Sequence, residues 1–448
     1  MVDQMLDEIL PAERTAEVIV TGNGVLPSVF AVTDLAAASV AAAGVAVSEL
    51  LDAEGGAARR VVVDQRLASM WFASSLRPEG WQPPPPWDAV AGDYRAADGW
   101  IRLHTNAPAH RQAALDVLGV TADRDQVAAA VAGWQPEALE HAVIAAGGCA
   151  ATMHTLDEWD ASAPGRSVGG EALIAWKHTG TASARSWAPN PARPLTGIRV
   201  LDLTRVLAGP VATRFLAELG ADVLRIDPPW WEEPGVVPDV MLGKRTARLD
   251  LRESEARERW LDLLAGADVL VHGYRPGALD GLGLSEAIRR DVAPGLIEVS
   301  LDAYGWTGPW AGRRGFDSLV QMSTGIAEAG MRMLERDAPT ALPVQALDHA
   351  TGYLMAHASI RALAERLRTG RANSATLSLA RTARLLTDNG TCEPGAQIRA
   401  EDGYDIAKPI EHTSWGVARR LRAPLTIDGV EIRADLPARD LGSDSAVW

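Results

Sequence analysis

The most regular pattern in the chain lies between residues 197 and 301, where apolar runs of strand length alternate with stretches of helical spacing. "GIRVLDL" (197–203), "ADVLRID" (221–227), "ADVLVHG" (267–273) and "LIEVSL" (296–301) read as buried strands. "PVATRFLAELG" (210–220) reads as a helix, with proline at its start and glycine at its end. Strands alternating with helices predict a parallel sheet with helices packed on it. Such sheets bind ligands beyond the carboxyl ends of their strands. The loop after the first strand, "TRVLAGP", lacks the G-x-G-x-x-G spacing of a nicotinamide site.

Elsewhere the pattern changes. Residues 1–75 form a helix/strand segment. Residues 76–165 read as a small α+β domain: "GDYRAADGWIRLH" gives two short strands around a turn at Asp98–Gly99, and helical stretches follow. Its "RPEGWQPPPPWDAV" opening should be extended and exposed. Residues 166–196, rich in Gly, Ala, Ser and Pro, read as a linker. Residues 197–390 form the large domain, and 391–448 a tail of short strands and loops packing on another domain. The expected class is α/β: a Rossmann-like parallel-sheet domain with a second, smaller α+β domain.

One weak internal repeat stands out. Segments 34–64 and 348–378 each run through an Asp, an alanine-rich helix, a glycine turn and a β-like stretch. Identities are few, and two alanine-rich helices resemble each other cheaply. Common ancestry and coincidence both stay open.

Composition narrows the classes. The 448 residues exceed one ordinary core, and 47% hydrophobic with 23% charged residues is an ordinary globular balance. No apolar run is expected to reach the roughly 20 residues of a spanning helix, and the acidic start "MVDQMLDEIL" has no signal-peptide n-region. The chain is therefore expected to be cytoplasmic and free of membrane. A formal charge of −15 argues against nucleic acid as partner. Two distant cysteines, Cys149 and Cys392, give neither a disulfide framework nor a metal site.

The candidate chemistry sits in loops and helix starts. Asp348, in "LPVQALDHATGYLMAHASIRAL", precedes an apolar stripe and reads first as a helix N-cap worth about 1 kcal/mol. A carboxylate held by a helix N-terminus stays ionised and fixed in direction, as a nucleophile requires, so the two roles are compatible. Lys244 and Arg245 stand in a turn before a strand, and Arg275 stands just past a strand end. All three are placed to meet phosphates if the loops face the ligand edge, and are solvated surface charges otherwise. The Gly- and aromatic-rich run 304–325 could approach a ligand through its backbone. Asp317 within it could equally cap a helix, and His349 reads as a packed or exposed histidine.

These residues resemble the class III CoA-transferases, the family of carnitine and bile-acid CoA-transferases. The resemblance rests on "PLTGIRVLDLTRVLAGPVATRFLAELGADVLRID", "GKRTARLDL", "ADVLVHGYRPGALDGLGL", "GLIEVSLDAYGWTGPWAGRRGFDSLVQMSTG" and "PVQALDHATGYL", in that order from 194 to about 380. It implies an acyl-CoA:carboxylate CoA-transferase in which Asp348 attacks a CoA thioester. An aspartyl-acyl anhydride and an aspartyl-CoA thioester would follow, with coenzyme A thioester as substrate and no tightly bound cofactor. It also implies that Arg205, Val206, Leu207 and Ala208 line the CoA site. Lys244, Arg245, Tyr274 and Arg275 would lie by the nucleotide end, and Tyr304, Phe316 and Asp317 by the acyl substrate. Acyl-CoA and a carboxylic acid are the expected partners, with a homodimer as the assembly.

Two departures qualify that picture. The small domain here precedes the catalytic segment, so the chain looks permuted, or like a tandem duplication with residues 1–75 as the remnant of a first copy. "RRGFDSL" carries Phe316 where the family's racemases carry histidine. An α-methylacyl-CoA racemase of the same fold and a non-catalytic CoA-binding scaffold are the rival readings.

Overall fold

The structure is a computed structural model; it describes residues 1–10, 16–53, 58–181, 187–392 and 395–448. It is a mixed α/β fold. Its largest sheet has seven strands, in the spatial order Arg245–Arg248, Asp222–Asp227, Arg199–Leu203, Val269–His272, Ile297–Asp302, Arg371–Ser378 and Ala175–Thr181. Every neighbouring pair is parallel except the last. The central strands are buried almost throughout, which is why they read as continuous apolar runs without alternation. The helix after the first of them spans Ala208–Glu218, and Gly220 beyond it takes a φ of +102° that only glycine adopts without strain.

The antiparallel edge strand corrects the linker expectation. Ala175–Thr181 pairs with Arg371–Ser378, and residues 163–169 are helical, so much of 166–196 is built into the structure. A strand with exposed Lys177 and His178 carries no apolar alternation, so its composition resembled a loop. Residues 182–186 of that stretch lie outside the described residues.

Three smaller sheets surround the large one. Gly92–Arg95, Trp100–Leu103 and Ala150–Thr152 form an antiparallel sheet over its own apolar cluster, with the tight turn at Asp98–Gly99 as expected. Val18–Thr21 and Val61–Asp64 pair in parallel, and the tail strand Leu425–Ile427 adds antiparallel to the second. Gly416–Arg420 of the tail joins Leu76–Pro78. The tail thus closes two sheets begun in the first eighty residues, while its residues 393–394 lie outside the described set.

Two long helices meet in the main core: Val32–Asp52 and Ala346–Thr369. The first is 21 residues long and apolar enough to cross a membrane by length and composition, which the sequence reading had not expected. It is buried inside the protein instead, with 89% of its most apolar window covered.

Candidate active site

The strand Arg199–Leu203 lies between neighbours reached in opposite directions along the sheet. By the rule for open α/β sheets, the loops after it and after Val269–His272 frame the candidate ligand crevice at the carboxyl edge. Arg205 comes from one loop and Tyr274 from the other. The Arg205 guanidinium donates to the Tyr274 hydroxyl at 3.4 Å and lies 4.5 Å from the Trp231 ring centre, a cation–π contact.

The Arg205–Ala208 loop is held from beneath by a buried network. Asp202 accepts from the Thr204 backbone N–H at 2.8 Å, the Thr204 hydroxyl at 2.6 Å, the Thr213 hydroxyl at 2.5 Å and Lys244 Nζ at 3.3 Å. Lys244 also donates to the Pro210 carbonyl at 2.8 Å. Above this anchor Val206 takes a φ of +64°, unfavourable for a β-branched residue, and its backbone N–H donates to Glu233 at 2.8 Å.

Asp348 sits in the first turn of the Ala346–Thr369 helix, which starts at the N-cap Gln345. It is therefore not the N-cap itself, a correction to the spacing argument. The free N–H groups of this helix end are met from outside: Asp317, at the start of the Asp317–Ser323 helix, accepts the Asp348 backbone N–H at 3.0 Å. Gln321 also donates to Asp317, and its own amide oxygen accepts the Leu342 N–H at 2.7 Å.

This arrangement runs against the expectation that the helix N-terminus favours the ionised carboxylate. The backbone donors serve Asp317, so Asp348 lacks them. Burial, and then the Asp317 charge, push the Asp348 pKa well above the ordinary carboxylate value. Burial also pushes Asp317 up, to about 6, against hydrogen bonds that pull it down. Two buried carboxyls this close titrate as a pair.

Asp348 is only 8% exposed, yet the crevice loop is near. Gly352, one turn on and on the same helix face, packs so closely that a Cβ there would lie 2.5 Å from the Ala208 carbonyl oxygen. The helix start therefore rests against the Arg205–Ala208 loop.

A cavity of about 230 Å³ opens beside this junction. Val206, Phe316, Trp231, Glu233, Trp87, Asp88, His104 and Asn106 are among its walls, and Asp348 is not. His104 stacks on Phe316 with ring centres 3.6 Å apart and planes 8° apart. It is 5% exposed, its Nδ1 has no partner in the structure, and burial pushes its pKa down to about 3, so it is neutral. Sequence reading missed His104. Only the packing of the small sheet onto the Asp317–Ser323 helix brings it to Phe316, and no local spacing signals that.

The remaining expected residues divide. Arg275 is exposed, donates to the Gly312 carbonyl at 3.2 Å, and has its pKa lowered by burial and by neighbouring Arg314, a second exposed cation that sequence reading passed over. Leu207 and Ala208 start the Ala208–Glu218 helix at the crevice. Lys244, by contrast, is fully buried, so it anchors the loop and is not available to a phosphate. Arg245 pairs with Asp222 at 2.8 Å, at the amino-terminal end of its neighbouring strand and away from the ligand edge. Tyr304 is 1% exposed and bonded to Ser323 at 3.1 Å, so its ring is core and not cavity wall. His349 is packed, stacked 5.0 Å from Phe72. Among the described residues no cluster of potential metal ligands occurs.

Residues 195–403 match the family model described as CoA-transferase family III. A probable fatty acyl-CoA transferase of Mycobacterium tuberculosis, Rv3272, is 36% identical over 195 residues, covering 40% of this chain and 49% of the relative. The mouse succinyl-CoA:glutarate CoA-transferase is 29% identical over 276 residues, covering 54% and 63%. The chain spans about half the length of the curated relatives it matches. The crystal structure of Rv3272 in its orthorhombic form superposes with a TM-score of 0.42 at 35% identity, covering 45% of this chain and 59% of that one.

Proposed function

We propose that this chain, whose residues 195–403 are a CoA-transferase family III segment, is an acyl-CoA:carboxylate CoA-transferase with Asp348 as its nucleophile. The observation that carries the reading is Asp348 itself: a buried carboxyl inside the matched segment, in the first turn of a helix that abuts the crevice loop. The strand order around the crevice suits a Rossmann-like binding mode. The CoA ester would lie between the Arg205 and Tyr274 loops, with Arg275 and Arg314 available to its phosphates.

In this reading the ionised Asp348 attacks the thioester carbonyl, giving an aspartyl-acyl anhydride and CoA thiolate. The thiolate attacks the aspartyl carbonyl and expels the first acid, leaving an aspartyl-CoA thioester. The second carboxylate attacks that thioester, forming a new anhydride, and CoA thiolate then takes the new acyl group and frees Asp348. Each step begins from an activated carbonyl. Asp348 attacks only in its ionised form, which burial and the Asp317 charge disfavour. The acyl end would occupy the cavity beside Val206 and Phe316, whose aromatic walls suit a flat or apolar acyl group.

One observation favours a second reading. Phe316 cannot exchange a proton, but His104 stacks on it, neutral and with a free ring nitrogen. A histidine at the cavity wall supports this reading, because a racemase-type reaction requires a proton-transfer group there. One experiment separates the two. With an acyl-CoA and a free carboxylate in heavy water, the transferase moves CoA between acids and leaves the α-carbon unlabelled. Deuterium entering the α-carbon at the rate of turnover, and lost in His104→Ala, would overturn the transferase reading.

A further inference from the structure

The two long helices belong to two units of one design. Val32–Asp52 and Ala346–Thr369 begin 314 residues apart, and the same separation recurs at two points after them. The strands Val61–Asp64 and Arg371–Ser378 end 314 apart, and the helices Gln65–Trp71 and Leu379–Asp388 start 314 apart. Both final helices are capped by the last strand residue, Asp64 in one and Ser378 in the other.

Sheet register agrees. Val61 pairs in parallel with Val18 and antiparallel with Ile427; Ala375, its counterpart, pairs in parallel with Val299 and antiparallel with Trp176. Chance resemblance of alanine-rich helices does not explain matched strands, caps and edge pairing.

The units face each other through equivalent stretches. His357 Nδ1 lies 2.8 Å from the Ala42 carbonyl, and the counterpart of His357 is Ala43. Arg361 pairs with Glu49 at 3.3 Å, and the counterpart of Arg361 is Val47. Each helix meets its counterpart through the same surface, which is the rule of a two-fold interface between identical subunits.

We infer that residues 18–72 are a truncated second copy of the unit around Asp348, and that this copy occupies within one chain the place a second chain would take. Between strand and helix it keeps only residues 22–31, where the other unit has 303–345, so it has no counterpart of Asp317. Among the described residues its sheet has three strands, where the sheet of the other unit has seven. It keeps the contact and lacks the site. Its remaining service is support: Phe72 stacks 5.0 Å from His349 and 6.2 Å from Tyr353, holding the helix start that carries Asp348. The expected homodimer gives way, on this face, to an internal pair.

The duplication itself is independent of the proposed reaction; the supporting role of Phe72 rests on it. The first test uses the full chain with Glu49→Arg, Arg361→Glu and both together. The expected particle is one chain, 47.6 kDa, in all four proteins. Its Tm should not change over a hundredfold range of concentration, should fall in each single reversal, and should largely recover in the double. A two-chain particle that single reversals split, or single reversals that leave the Tm unchanged, would overturn the inference. For Phe72, Phe72→Ala should lower kcat with KM little changed, and Phe72→Met should restore most of it. Equal activity of Phe72→Ala and wild type would remove the supporting role, and absence of any CoA transfer in wild type would sink the reaction while the mass test still stands.

Discussion

Asp348 and Asp34 occupy the same turn of the same helix in two copies of one unit, yet they live in different surroundings. Asp348 is buried, beside Asp317, against the crevice loop. Asp34 is only partly buried, with burial raising its pKa and the Val2 backbone N–H lowering it. On the proposed reading, then, the helix alone does not make an aspartate reactive. What sets Asp348 apart is the segment 303–345, which brings Asp317 and Phe316 to the helix start, and the loop against which that start rests.

The sharpest way to break this comparison is to remove each carboxylate in turn. Asp348→Asn should reduce CoA transfer by about a thousandfold or more, whereas Asp34→Asn should leave turnover within roughly twofold. Comparable losses in a CoA-exchange assay would mean that both turns contribute to the chemistry.

The cations divide the same way, into those at the crevice and those elsewhere. Arg205→Ala or Arg275→Ala should weaken binding of a CoA ester by about 1–3 kcal/mol, less as salt rises. Arg245→Ala, at the opposite end of its strand pair, should bind as wild type. Calorimetric titration of the three variants at two salt concentrations checks this.

Asp317 sharpens the electrostatic half of the account. The acid limb of the pH–rate profile should lie above the ordinary carboxyl range, since Asp348 must ionise against burial and the Asp317 charge. Asp317→Asn keeps an oxygen for the Asp348 N–H and removes the charge. The limb should move down on the order of one pH unit; an upward move would contradict the assignment.

The smallest effect is on stability. A carboxyl whose folded pKa is raised favours folding below its unfolded value, and that contribution is lost as pH rises toward the folded pKa. At neutral pH Asp348→Asn should thus be more stable than wild type, by about 1 kcal/mol, with a lesser gain for Asp34→Asn. Equal stability at pH 4 and a gap at pH 7, by denaturant unfolding, is the expected pattern.

Much of this was legible in the sequence where one local property decided the outcome. The parallel strands announced themselves because strands covered on both faces are apolar throughout; the stripe after Asp348 pointed only to a helix cap, and its candidate role as nucleophile came from the family resemblance. Lys244 misled because a lysine in a turn is ordinarily solvated, and only the distant Asp202 and Pro210 show where its charge is held. The Ala175–Thr181 strand misled because an edge strand carries polar residues. His104 and the cap from Asp317 were not legible at all, since both arise between elements far apart in the chain. The repeat was half legible: few side chains agree, but the backbone kept the spacing.

The most direct test of the central claim is to follow oxygen. If Asp348 carries the acyl group as an anhydride, turnover with a carboxylate acceptor labelled with oxygen-18 leaves a heavy oxygen in the enzyme. Mass spectrometry of the digested protein should find it in the peptide containing Asp348 and not in the one containing Asp34. Brisk CoA transfer with both peptides unlabelled would contradict the account.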